Sequence, residues 1–344
     1  MSTSSNPSPI ESLEALDGGT TAACVILGLC FLVGMPVNLL VIWTILRHIK
    51  QRLNTVVLIL HLAAADLTIL ITLPLWIYAL VNSWVFGEIV CKMLVYVIHV
   101  CMFSSIFLIT LMSVERYIAI CHPFVMMRWK TKRNMSTCLL FLWLLALILG
   151  VPVLITKPFD ENDEEEQCFS LSFTSEKQAI FFLVSQTFLG FVLPLFTLSV
   201  CYCLVAAQLR RMKFNSKQKS KVLIYTVVIV FTLLWLPYHV VNIIDVILVH
   251  FSDTDGEFLP ESVVLSTGAL VFISSTVNPV LYVYFARNFK RSLKESGFVR
   301  LFQEVASHTN RLWEFAMQQE KEQGAASAQT EMLSSTQTEA VVSF

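Results

Sequence analysis

The sequence is short of charge. Of 344 residues only 14% are Asp, Glu, Lys or Arg, whereas 56% are hydrophobic and the mean hydropathy is +0.68; roughly a quarter of a soluble globular chain is charged. That shortage excludes intrinsic disorder as the main state and argues against a water-soluble enzyme. The nine cysteines contain no C-x-x-C spacing, which excludes a disulfide-built scaffold and a metal site of that pattern. Lys plus Arg is 24 against Asp plus Glu 25, so no basic excess marks nucleic acid as a partner, and none is expected. There is no repeat at solenoid periods and no convincing half-to-half symmetry of the kind many transporters carry. What the chain has in abundance is apolar sequence, and it reads as a polytopic membrane protein.

A bilayer core of about 30 Å needs roughly 20 apolar residues in a helix. Seven stretches qualify: 20–46, 55–81, 89–121, 135–155, 178–209, 222–249 and 261–285. The first has no Lys or Arg before it and no convincing cleavage site, so it reads as an uncleaved span rather than a signal peptide. The expected fold is an all-α membrane protein, a seven-transmembrane-helix bundle.

Orientation follows from the bases. The segments after spans one, three and five carry Arg47, Lys50 and Arg52; Arg128, Lys130, Lys132 and Arg133; and Arg210, Arg211, Lys213, Lys217, Lys219 and Lys221, with no acid among them. The outer tail and two loops of the opposite side carry fourteen acids: Glu11, Glu14, Asp17, Asp160, Glu161, Asp163, Glu164, Glu165, Glu166, Glu176, Asp253, Asp255, Glu257 and Glu261. Positive charge stays inside, so the N-terminus is expected outside and the C-terminus in the cytoplasm of a multi-pass plasma-membrane protein. Residues 1–19 form an outer tail, 20–297 the bundle plus a short amphipathic interfacial helix around Arg287, Phe289, Lys290, Leu293 and Lys294, and 298–344 a cytoplasmic tail. That tail is rich in Gln, Ser, Thr, Glu and Ala. Its hydroxyls are either merely solvated or acceptors of phosphate that recruit an anion-reading partner.

Polar residues inside spans carry most of the information, because an ionisable group in lipid costs several kcal/mol unless it faces a polar interior. Asp66 sits in the middle of span two, with Asn38 in span one, Ser105 in span three, and Ser275 and Asn278 in span seven as candidates for one cluster. A buried carboxylate among hydroxyl and amide oxygens is either a hard-cation site, sodium for instance, or a hydrogen-bonded structural acid. Glu115-Arg116-Tyr117 closes span three; Arg116 lies 25 residues after Cys91, about 37 Å along a helix, so the two mark opposite membrane faces. By itself Arg116 reads equally as a helix-end arginine held by its neighbour Glu115. Pro74, Pro152, Pro194, Pro237 and Pro279 each interrupt a different span and permit a bend. Phe231 and Trp235, just before Pro237, either rock beside that bend or simply pack.

Together these residues resemble the rhodopsin-like (class A) family of G-protein-coupled receptors. The matching elements are Asn38; Leu62 to Asp66; Trp84-Val85-Phe86-Gly87 before Cys91; Glu115-Arg116-Tyr117; Trp143; Pro194 with Tyr202; Phe231 through Trp235 to Pro237; and Asn278-Pro279-Val280-Leu281-Tyr282. The resemblance implies a disulfide between Cys91 and Cys168, with the other seven cysteines free. It implies that Glu115, Arg116, Tyr117, Tyr202, Phe231, Trp235, Pro237, Asn278, Pro279 and Tyr282 carry activation and coupling to a heterotrimeric G protein, by analogy of the inhibitory class. It also implies an allosteric sodium ion on Asp66, Ser105, Ser275 and Asn278, no other cofactor, and receptor kinases and arrestin acting on the tail. Lys217 stands where some relatives carry an acid that pairs with Arg116, so appreciable resting activity is expected.

Within the family, Leu234-Trp235-Leu236-Pro237-Tyr238-His239-Val240-Val241-Asn242, Ser274 to Pro279, and His122-Pro123-Phe124-Val125 followed by Lys130-Thr131-Lys132 are similar to leukotriene B4 receptors. That similarity implies a lipid chemoattractant, leukotriene B4 or a related hydroxy fatty acid, in contact with Val95, Ile98, His99, Met102, Lys157, Gln186, Tyr238, His239 and Asn242. Lys157 would meet the carboxylate, and Tyr238 and Asn242 the hydroxyls. His239 reads as a packing histidine. Ile98 replaces the acid of amine receptors, and Phe272 the retinal lysine of opsins. Val95, Phe103, Gln186 and Lys157 stand where those relatives commonly carry His, Tyr, Glu and Arg. The acidic outer face favours cations over anions, which makes a cationic chemoattractant peptide the alternative ligand. An intramembrane enzyme would need paired acids or a Ser-His pair; a transporter or channel would favour repeats or charged pore residues. Neither pattern is apparent.

Overall fold

A computed structural model of the chain describes residues 18–48, 54–82, 84–129, 132–155, 168, 175–211, 217–251, 267–279 and 318. Among the described residues, six helices are long and apolar enough to cross a membrane: Gly18–Arg47, Asn54–Val81, Gly87–Cys121, Asn134–Ile155, Glu176–Gln208 and Thr226–Leu248. They are spans one to six, and residues 267–279 are the described part of span seven. The expected bundle is therefore present, with bounds within a few residues of those read from hydropathy. The helix of span six runs further than its apolar part, over Lys217–Phe251. A short helix, Pro123–Trp129, follows span three. The two tails, the interfacial helix around 287–294, Lys157 and Tyr282 lie outside the described residues.

The bundle is inside out relative to a soluble protein. Leu32, Phe141, Ile148, Phe181 and Phe196 are each more than 60% exposed, whereas Asn38, Asp66, Ser104 and Ser113 are fully buried. Lipid accepts the first set, and only a protein interior accepts the second. Span three runs through the middle, packed on spans two, four and five, while span six lies along span five. Close approach of spans three and four depends on Gly150. A Cβ there would come within 2.9 Å of Tyr96 and Val100 side chains.

Two spans contain a π-turn, at Cys30–Gly34 and Phe188–Val192, and each turn ends two residues before a proline, Pro36 or Pro194. A proline has no N–H to give the carbonyl four residues back, and a widened turn redistributes the freed acceptors. In span one the Cys30 carbonyl accepts from Thr276 Oγ1 at 3.3 Å, and Asn38 Nδ2 donates to both the Gly34 and Ser275 carbonyls at 2.9 and 3.0 Å. Span one is thereby tied to span seven. Pro74 acts differently. Span two breaks at Ile71–Thr72 and restarts as Leu73–Val81 with the proline in its first turn, where no N–H is needed.

At one end of the bundle Trp84 is buried, stacks on Trp76 at 5.8 Å, and donates its indole N–H to the Gly87 carbonyl at 2.9 Å. Gly87 opens span three at φ +77°, a left-handed conformation that glycine adopts without strain. Cys91 follows within the first turns and is bonded to Cys168, which pins the segment before span five onto span three. The remaining cysteines among the described residues, Cys24, Cys30, Cys101, Cys121, Cys138, Cys201 and Cys203, are free thiols.

Candidate functional site

Three groups of polar residues lie along the bundle axis. In the middle, Asp66 is fully buried and both carboxylate oxygens are engaged: Ser105 Oγ donates to Oδ1 at 3.0 Å and Asn278 Nδ2 to Oδ2 at 2.9 Å. The Ser275 side chain stands beside this carboxylate. The predicted cluster thus comes together from spans two, three and seven. Asn38 stands beside it through the Ser275 backbone. Carboxylate and hydroxyl oxygens are the donors a hard monovalent cation takes, so the set suits sodium.

At the Arg116 end, Glu115 is buried and accepts from Thr55 Oγ1 through both oxygens, at 3.0 and 2.7 Å. Its carboxylate reaches across to span two, a partner that sequence reasoning missed. Arg116 is half-buried. Tyr117 Oη lies 3.0 Å from His122 Nε2, with the rings edge to face at 5.5 Å; this fixes the turn leading into Pro123–Trp129. Trp143 donates its indole N–H to His61 Nδ1 at 3.3 Å, so the proton of the neutral His61 ring sits on Nε2.

Alongside these groups an aromatic column runs up to His239. Ile106, Phe191, Leu198, Tyr202, Phe231 and Trp235 form one buried cluster. Phe231 stacks on Trp235 at 6.0 Å, Trp235 on His239 at 6.1 Å, and Phe191 on both Phe231 and His239 at 6.1 and 5.0 Å. Pro237 lies within the helix of span six, between Trp235 and His239. Of the candidate activation residues only Tyr282 lies outside the described set.

The third group faces the seam of spans three, five and six towards the disulfide end. Gln186, His239 and Asn242 are each at most 5% exposed, although all three are polar. Gln186 Nε2 donates to Tyr238 Oη at 2.8 Å, and His239 Nδ1 lies 3.3 Å from Thr187 Oγ1. Among the described residues, Gln186 Oε1, His239 Nε2 and Asn242 Nδ2 have no hydrogen-bond partner. Of the two His239 ring nitrogens, Nδ1 has a hydrogen-bond partner and Nε2 has none among the described residues. On span three, His99 donates Nδ1–H to the Val95 carbonyl at 2.9 Å and lies 6.1 Å from Phe182. Ile98 is buried among the residues around Cys91 and Cys168, with Val95 half-buried against them. Met102 touches that cluster, the Trp235 cluster and the Ala65–Ile69–Cys101 cluster at once. Lys157 is the only candidate ligand residue outside the described part. Thr187, which lies 3.3 Å from His239, and Gly190, on the turn that faces it, were not singled out from sequence. One hydroxyl or one glycine in an apolar helix leaves no periodic signal.

The family model described as 7 transmembrane receptor (rhodopsin family) matches residues 37–282. The chain belongs to this family. It is a multi-pass membrane receptor of the G-protein-coupled class, a family of receptors and not of enzymes. Among individual proteins, it is 32% identical to leukotriene B4 receptor 1 of Bos taurus over 297 residues, covering 83% of this chain and 84% of that one. It is 33% identical to apelin receptor B of Danio rerio over 282 residues, covering 76% and 79%. It is 32% identical to chemerin-like receptor 2 of Rattus norvegicus over 317 residues, covering 90% and 86%.

Proposed function

We propose that this receptor sits in the plasma membrane with its N-terminus outside and responds to a hydroxylated fatty-acid chemoattractant, leukotriene B4 or a close relative. The observation that carries the reading is the uncharged polar seam of Gln186, Tyr238, His239 and Asn242, with three buried atoms that have no partner among the described residues. An unmade hydrogen bond on a buried group costs about 1–3 kcal/mol, so such atoms favour a ligand that completes them. Amide and imidazole groups suit hydroxyls, and the apolar residues around them suit a hydrocarbon chain. Lys157 is assigned the carboxylate. Support also comes from the similarity to receptors named for leukotriene B4.

Ligand binding would favour one of two helix packings by its difference in affinity between them. The seam touches the aromatic column through His239, so a change there reaches Trp235 and Phe231 at the Pro237 bend. Span six would swing outward, and Tyr202 and Tyr282 would support Arg116 as a cleft opens to a G protein, by analogy of the inhibitory class. Asp66, Ser105, Ser275 and Asn278 would hold sodium in the resting packing. Receptor kinases and arrestin would read the Ser/Thr-rich tail.

The second reading, a cationic peptide ligand, rests on the fourteen acids of the opposite tail and loops, and on similar proteins being named for other ligands. Nucleotide exchange on a purified G protein, driven by leukotriene B4 or by cationic peptides, decides between them. The lipid should act alone, and Lys157→Ala and Asn242→Ala should each weaken it about tenfold, the worth of one good polar contact. Unchanged lipid potency in both variants rejects the assigned contacts, and a response to peptide alone rejects the lipid.

A further inference from the structure

One polar ring on the lipid-facing surface has a bond unmade. On span two, Val57, His61, Ala64 and Thr68 follow one another at intervals of three or four residues and form a single stripe. Ala64 and Thr68 are exposed, while Val57 and His61 are half-buried, so this stripe meets hydrocarbon. On span four, half-buried Trp143 lies between exposed Leu140 and Leu147 at the same spacing. The Thr68 hydroxyl satisfies itself by donating to the Ala64 carbonyl at 2.9 Å. His61 is only half satisfied. Its Nδ1 accepts from the Trp143 indole at 3.3 Å, which leaves the ring proton on Nε2. That Nε2 has no partner among the described residues and, unlike His239 Nε2, is not sealed inside the protein. A free N–H in the hydrocarbon region costs several kcal/mol unless something accepts from it.

Depth decides what can accept. The helix of span two covers Asn54–Val81, 28 residues, of which about 20 cross the hydrocarbon. With the excess shared between its ends, the hydrocarbon begins near Leu58, and His61 lies about one turn inside it. This is the Arg116 end of the bundle, since Thr55 at the start of the same helix is bonded to Glu115. Ester carbonyls of phospholipids stand at that boundary. We propose that His61 Nε2–H donates to an ester carbonyl of a phospholipid seated against spans two and four in that leaflet. The acyl chain then runs towards the middle of the bundle past Ala64 and Leu147. An ester carbonyl only accepts, which matches a nitrogen that only donates. A sterol hydroxyl would accept as well, but it brings an O–H of its own that needs an acceptor. The next polar side chain on the stripe, Thr68, is seven residues on, about 10 Å away. Through Trp143 the lipid bears on span three, because that indole packs against clusters that hold Cys101, Leu108 and Met112. The site is independent of the agonist and of its identity.

Reconstitution tests this. The full-length receptor is placed in nanodiscs of phosphatidylcholine whose chains are either ester-linked or ether-linked, so that only one lipid offers carbonyls. Unfolding is followed by dye labelling of buried free thiols such as Cys30 and Cys101. The unaltered receptor should melt higher in the ester discs, by on the order of 2 °C beyond any difference shown by His61→Phe or His61→Asn. The asparagine variant keeps an acceptor for the Trp143 indole but lacks the reach of Nε2, which separates the bond to lipid from the bond within the protein. No difference in the unaltered receptor, or one as large in both variants, overturns the proposal. Nitrogen NMR of receptor carrying labelled histidine gives a second readout. The His61 signal, identified by its loss in His61→Asn, should show the proton on Nε2 and should move between the two lipids. A proton on Nδ1, or a signal identical in both, overturns the donor assignment. Cholesterol added to the ether discs is the third arm. If it raises melting to the ester level the occupant is a sterol and the carbonyl is rejected; if it does not, the carbonyl stands.

Discussion

Thr55 shows how one hydroxyl can hold the buried carboxylate of a neighbouring helix. It spans from span two to both oxygens of Glu115 at 2.7 and 3.0 Å, and hydrogen bonds to charged groups contribute about 1.5–3 kcal/mol. If that clamp belongs to the resting packing, Thr55→Val should raise ligand-free nucleotide exchange, by up to about tenfold for a loss of ~1.4 kcal/mol. Thr55→Ser should restore it. Asp66 gives a second prediction of the same size of cause. With the carboxylate replaced in Asp66→Asn, agonist affinity should no longer change when potassium chloride is exchanged for sodium chloride. A variant still sensitive to sodium would remove the ion from this cluster. The Asp66 group was legible before any coordinates, because an acid inside an apolar run announces itself by its cost. Thr55, His61 and Thr187 were not, since hydroxyls and a lone histidine in apolar helices reveal a role only once a neighbouring helix supplies the partner.

Helices were read from hydropathy to within a few residues, yet hydropathy is blind to how a helix is wound. The π-turn of span one escaped notice, although Pro36 follows Gly34 by two positions in the sequence. Gly34 is essential to the tie this turn makes. A Cβ there would come 2.5 Å from Thr276 Oγ1 and 2.9 Å from Leu70 Cδ1, so Gly34→Ala must displace the Thr276 and Leu70 side chains or the spans that carry them. We expect Gly34→Ala to destabilise the purified receptor by about 1–3 kcal/mol, the usual cost of overpacking, read as a lower melting temperature. Thr276→Val keeps the volume and removes only the hydrogen bond to the Cys30 carbonyl, and should cost about 1 kcal/mol. A Gly34→Ala protein as stable as the parent would show that spans one and seven are not held by close contact here.

On the scale of the whole molecule, a polar axis runs through an apolar sheath. The sheath follows from composition alone. The axis followed from family resemblance and from the expense of polar groups in lipid, but the empty valences of Gln186, His239 and Asn242 required side chains in place. At the disulfide end Cys91–Cys168 holds the segment before span five against span three. Cys91→Ser should reduce the fraction of receptor reaching the cell surface and lower its melting temperature, because the uncrosslinked chain gains conformational entropy when unfolded. Surface counts equal to the parent would show the bond dispensable. The basic residue Lys217 in place of an acid leads to a further expectation, measurable signalling by the receptor with no ligand. A silent receptor in that assay would count against it.

The winding of span five has a consequence for how this receptor can change over generations. A π-turn carries one residue more than the α-turn it replaces, and each residue of a helix turns it by about 100°. Deleting a single residue within Phe188–Val192 would close the turn as an α-turn and leave Gln186 facing Tyr238, whereas rewinding all five residues as α-helix would rotate Gln186 by roughly that angle while Pro194 and Tyr202 keep their bearings. The upper and lower halves of the helix are thus geared separately. Ligand preference can be retuned by rewinding this one turn, which leaves the transducing half untouched.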